Sequence, residues 1–175
     1  MKTQTIISLL AGIALLAGCG EKETTEAPSV AVPNVFVTEP INGTPVPIPE
    51  ARTKFSAGDK VLLSGLVMGV PHPFVEGRGV FVLGDEATIT PCDAMGDDDH
   101  CKLPWDACCD PAEIRAAGTA AIQVLGDDGK PLRTGLKGIN GLNELSRVTI
   151  AGTVAPNSTP EAFVVNASAI YVGVR

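Results

Sequence analysis

Two stretches near the C-terminus, Arg147-Val148-Thr149-Ile150-Ala151-Gly152-Thr153-Val154 and Phe163-Val164-Val165-Asn166-Ala167-Ser168-Ala169-Ile170-Tyr171-Val172, decide the fold class. The first alternates with period two, which places every second side chain on one face of a half-buried strand. The second is a similar run of β-branched and small residues. Working toward the N-terminus, Thr119-Ala120-Ala121-Ile122-Gln123-Val124-Leu125 reads as a strand closed by the turn Gly126-Asp127-Asp128-Gly129. Gly79-Val80-Phe81-Val82-Leu83-Gly84-Asp85 is another, with Thr88-Ile89-Thr90 as its continuation. Lys60 to Met68 is the first of the set, and Gly65 inside it marks a bend or bulge. Five short strands without helical crossovers define an all-β fold, a small closed barrel or sandwich. Two short helices are predicted. Asp110 to Gly118 carries a capping Asp110, Pro111 at the first helical position, Glu113 and a terminal glycine, and Leu142 to Leu145 makes one turn.

Composition limits what such a domain can do. The 175 residues suffice for one domain, and 45% hydrophobic against 19% charged residues means that most of the chain folds. The 20 acidic and 13 basic side chains give a net charge of −7, which repels phosphate backbones. One Trp and one Tyr leave few platforms on which bases or sugars stack.

The glycine-bent strand Val61 to Met68, the strand Phe81-Val82-Leu83-Gly84-Asp85, and the closing pair Val148 to Val154 and Val164 to Ile170 together resemble the OB-fold, a five-stranded Greek-key barrel. Exported bacterial OB-fold proteins and anticodon-binding-like OB domains share this rhythm. The resemblance spans residues 58–174 and implies the barrel. It does not carry nucleic-acid binding over: the second strand offers only Phe81 as an aromatic and the third offers none. The departure from the pattern is a cysteine-rich insertion, residues 90–118, between the second and third strands.

The N-terminus begins Met1-Lys2 and continues into an apolar run from Ile6 to Gly18, 13 residues, where a membrane-crossing helix needs about 20. Leu16-Ala17-Gly18-Cys19 resembles the lipobox of bacterial lipoproteins. The resemblance implies a signal peptide over residues 1–18, cut before Cys19, and a lipid anchor on that cysteine. The protein is then held in the cell envelope facing the periplasm, and Gly20 in place of an aspartate points to the outer membrane over the inner. Cleavage removes Lys2, so the mature chain carries 12 basic and 20 acidic groups. Residues 19–55 hold six of the 14 prolines, from Pro28 to Pro49, and read as a semi-rigid tether, with the barrel domain over residues 56–175. The alternative for Ser29-Val30-Ala31-Val32 and Val35-Phe36-Val37 is an edge strand.

Chemistry concentrates between Cys92 and Asp110. These 19 residues hold four of the five cysteines (Cys92, Cys101, Cys108, Cys109), His100, the only tryptophan (Trp105) and six aspartates. Three readings compete. In an oxidising compartment the even number of cysteines makes a disulfide-stapled loop, Cys92 and Cys101 each pairing with one of the vicinal Cys108 and Cys109, with Trp105 packed on sulfur and no cofactor. Alternatively the four thiolates, with His100 as a substitute ligand, hold Zn²⁺, Cu⁺ or Fe. In the third, Cys108-Cys109 cycles as a redox pair at the start of the following helix. Asp93 and Asp97-Asp98-Asp99 lack EF-hand spacing and read as a solvated loop. His72, between Pro71 and Pro73, reads as a surface histidine.

No phosphate-cradling loop, nucleophile elbow, His-Glu-x-x-His or dinucleotide fingerprint occurs, so nothing supports an enzyme. The expectation is a membrane-anchored, non-catalytic binding module. Pro104-Trp105-Asp106 is its contact surface for a protein or small ligand, and a metal or redox role of the cysteines is the alternative.

Overall fold

The alternating segments close into a barrel in the computed structural model, which describes residues 33–96 and 101–173. Its elements are β1 (Phe36–Val37), α1 (Ile48–Lys54), β2 (Lys60–Leu66), β3 (Val80–Gly84), α2 (Ala112–Ala117), β4 (Thr119–Gln123), β5 (Arg147–Val154) and β6 (Val164–Val172), with 3-10 turns at Cys92–Ala94 and Ile139–Gly141. The strand order is β1-β6-β4-β3-β2-β5, and an added β5–β6 pairing joins β5 to β6, so five strands form a closed ring and β1 is extra. All pairs in the ring are antiparallel except β4 with β6, which run parallel. This is the OB-type Greek-key topology that the sequence suggests.

Period-two burial in β2 and β5 explains the closure. Val61 and Leu63 point inward from β2, and Val148, Ile150 and Val154 from β5. They meet Phe81, Leu83, Ile122, Val165 and Ile170 in one core. Gly65 is not a bulge, because β2 pairs with β5 without interruption from Lys60 to Leu66. Its glycine is needed where β2 meets β3: a Cβ there would lie 2.2 Å from the Gly84 carbonyl oxygen. The irregularity falls in β6 instead, where Ala151 faces Ala169 and Gly152 faces Ala167, leaving Ser168 as the extra residue.

The tether expectation is corrected from residue 33 onward. β1 pairs in parallel with β6, as the edge-strand alternative has it, and the Ile170 amide donates to the Val35 carbonyl at 2.8 Å. Beyond it α1 buries Ile48 and Ala51 completely. The buried Asp85 carboxylate accepts the Ile48 amide at 2.8 Å, and Arg52 donates to the Thr119 carbonyl at 2.6 Å and the Ala117 carbonyl at 3.3 Å. Prolines did not prevent this helix because Pro47 precedes it and Pro49 sits in its first turn, where no intrahelical amide is needed. The domain therefore starts well before residue 56. Residues 1–32, with the signal peptide, Cys19 and the first part of the tether, lie outside the described residues.

Two smaller expectations also shift. Thr88-Ile89-Thr90 does not extend β3, because the Asp85 carbonyl accepts the Thr88 and Ile89 amides in a turn. The helical turn expected at Leu142–Leu145 lies at Ile139–Gly141, and Leu142 and Leu145 are buried beyond it. Among the described residues, no helix is long and apolar enough to cross a membrane.

Candidate metal centre

The insertion between β3 and β4 is built from two legs clasped by backbone hydrogen bonds. The Cys92 amide donates to the Asp106 carbonyl at 2.7 Å, and the Asp93 amide to the Pro104 carbonyl at 2.8 Å. Cys92 opens its 3-10 turn directly after Pro91, and the Met95 amide closes that turn on the Cys92 carbonyl at 3.0 Å. On the other leg the Asp110 amide returns to the Ala107 carbonyl at 3.1 Å, which places Cys108 and Cys109 on the tip of a turn. Asp110 also ties the legs together, its carboxylate accepting the Thr90 amide at 2.7 Å. It was expected to cap α2, but no side chain caps that helix and Pro111 stands at its N-cap. The carboxylate satisfies a more distant amide instead.

A small separate core lies in this region. Met68, Ile89, Ala107 and Leu145 are buried together, and Leu66 and Trp105 pack against them. Trp105 is further held by the β2–β3 connection: its carbonyl accepts the Gly69 amide at 2.9 Å, and its Nε1 donates to the Pro71 carbonyl at 3.0 Å.

This scaffold gathers all four cysteines. Their Sγ atoms lie within 4.8 Å of one another. Cys92 and Cys108 are 3.5 Å apart, Cys101 and Cys109 3.4 Å, and Cys101 and Cys108 3.7 Å. A disulfide needs about 2 Å. No pair is at bonding distance, and all four cysteines of the insertion are free thiols here. These separations instead approach the edge of a tetrahedron, about 3.8 Å for sulfurs bound about 2.3 Å from a central ion. Cys92 is buried, Cys101 half-buried, and Cys108 and Cys109 are exposed, so the centre opens to solvent on one side. Burial pushes the Cys92 thiol up from its ordinary pKa. Hydrogen bonds with the Cys92 and Cys109 thiols push the Cys101 thiol up. A cation between the sulfurs reverses that preference, since it favours the thiolate.

The other expected site residues divide. Pro104 is exposed and Trp105 half-buried, but Asp106 is only 8% exposed, its carboxylate turned back to accept the Ala107 amide at 2.8 Å. Asp106 is therefore not part of a contact surface. Trp105 rests on the small core, and its outer side lines a cleft of about 420 Å³ with His72, Phe74 and Leu136. His72 is a surface residue, as its flanking prolines suggest. His100 and Asp97-Asp98-Asp99 lie outside the described residues. What sequence reading missed is the clasp made by Asp110, because a carboxylate that reaches an amide twenty positions away leaves no local pattern.

Comparison with protein-family models, with curated proteins and with solved structures finds no match. The fold and the site define a class on their own terms, an OB-type barrel with a four-cysteine insertion.

Proposed function

We propose that this protein is a lipid-anchored, non-catalytic envelope protein whose barrel presents a four-thiolate centre for a soft metal ion, Zn²⁺ or Cu⁺. One observation carries the reading: the four cysteine sulfurs lie within 4.8 Å of one another without being bonded. Sulfur donors select soft ions over Ca²⁺ and Mg²⁺, which take oxygen. The acidic chain, net −7, attracts cations in general, and Cys108 and Cys109 are exposed to receive one. Iron in the same tetrahedron is distinguished by the colour of its thiolate charge-transfer bands. The anchor rests on the lipobox-like Leu16-Ala17-Gly18-Cys19, and Gly20 favours the outer membrane.

A second reading has its own observation. The two closest disjoint pairs are Cys92 with Cys108 and Cys101 with Cys109, so an oxidised form would close those two disulfides. Intact mass of the mature protein, measured native and denatured with a thiol-alkylation count and elemental analysis, separates the two. About one metal per chain with four alkylatable cluster thiols is the expected result. A mass four hydrogens light, with no metal and no free cluster thiol, overturns it in favour of the disulfide scaffold.

A further inference from the structure

We infer that the metal centre controls the position of Trp105, so that one wall of the neighbouring cleft is in place only while the ion is bound. This rests on the metal reading of the four cysteines and adds a regulated element to it. The segment Cys101 to Cys108 begins and ends on two of the four sulfurs, and Trp105 lies between them. An ion bound by both ends closes this segment into a short loop, and it joins Cys92, on the other leg, to the same point.

Without the ion, little else holds the segment. Its Ala107 and Trp105 pack on only three buried residues from outside it, Met68, Ile89 and Leu145, and its polar ties are the clasp to Cys92 and Asp93 and the two bonds of Trp105 to Gly69 and Pro71. Such a segment has a low local stability that ligation raises directly, because binding at the folded site is coupled to ordering the chain that carries the ligands.

The opposite wall does not depend on the ion. The Val82 amide of β3 donates to the Pro73 carbonyl at 2.7 Å, and the Val75 and Val80 backbones are joined at 3.0 Å. The Phe74 ring lies 6.1 Å, centroid to centroid, from Phe81 in the barrel core. One side of the cleft thus belongs to the barrel and the other to the metal loop. Removing the ion frees Trp105 from the Pro71 carbonyl and leaves Phe74 where it is.

Trp105 is the only tryptophan, so its emission reports on this wall alone. The test uses the full chain in mild detergent, reduced, stripped of metal, and titrated with Zn²⁺, which is spectroscopically silent. Bound zinc is measured in parallel by elemental analysis after desalting. The expected result is a blue shift of the emission and a several-fold fall in acrylamide quenching, both complete at one equivalent of bound zinc. The double variant Cys108→Ser/Cys109→Ser should lose both the zinc and the response while keeping the far-ultraviolet circular dichroism of the barrel. Zinc bound at one equivalent with unchanged emission and quenching overturns this inference and leaves the metal centre standing. Failure of the wild-type chain to retain zinc overturns the metal centre itself, and the inference with it.

Discussion

The barrel and its insertion are stabilised by different means. Nineteen buried residues form the barrel core, and every ring strand is paired on both sides. The insertion rests on a separate core of four buried residues, of which only Ala107 is its own, with a few backbone clasps and a cluster of thiols. A core of the first size folds because apolar burial outweighs chain entropy. One of the second size needs a further constraint, as small disulfide- or metal-dependent domains do. On the metal reading proposed above, the barrel serves as the permanent part of the molecule and the insertion as the conditional part.

The contrast is broken most severely by a cavity in the barrel. Phe81 is fully buried in the main core. Phe81→Ala should cost about 3–5 kcal/mol of global stability by urea denaturation. A loss confined to the insertion would mean that the two regions are not distinct. Next comes removal of the ion. At free metal 100 times the dissociation constant, chelation should withdraw about 2.7 kcal/mol from whatever unfolds with the site. Amide exchange should then rise sharply between Ile89 and Asp110 while β5 keeps its protection. Equal acceleration in β5 would make the metal part of the global fold.

A smaller effect is expected at the clasp. Asp110→Ala leaves the Thr90 amide without its partner and should cost about 1–2 kcal/mol, read as weaker metal retention with little change in the barrel melt. At the bottom of the scale, Glu50→Ala removes an exposed pair with Lys54. It should change stability by less than about 0.5 kcal/mol in the same melt.

The permanent part was largely legible in the sequence. β5 coincides with the quoted stretch Arg147–Val154, and β6 begins one residue inside the second. Alternation is a direct record of which side of a strand meets the core. α1 was not legible: Pro47 and Pro49 resemble a linker, and a seven-residue helix is too short to show a period around its buried Ile48 and Ala51. The conditional part was half legible. Four cysteines within 19 residues announce a site, but which sulfurs meet depends on the clasp between Cys92 and Asp106, and long-range backbone pairing in an irregular loop has no sequence period. Asp106 was misread for the same reason, since nothing local distinguishes it in sequence from the other five aspartates between Cys92 and Asp110.

On the proposed lipid anchoring at Cys19, the pairing of β1 with β6 also sets how far the domain travels. The chain is fixed to the barrel from Val35 onward, so only the 15 residues from Gly20 to Asn34 separate it from Cys19. Fully extended they reach at most about 55 Å, against about 130 Å had the chain run free as far as Phe55. With Cys19 in the membrane the barrel is on a short leash. On the proposed anchoring the thiol cluster stays within that reach of the lipid surface, and a partner that delivers or accepts the proposed ion would itself have to work close to the bilayer.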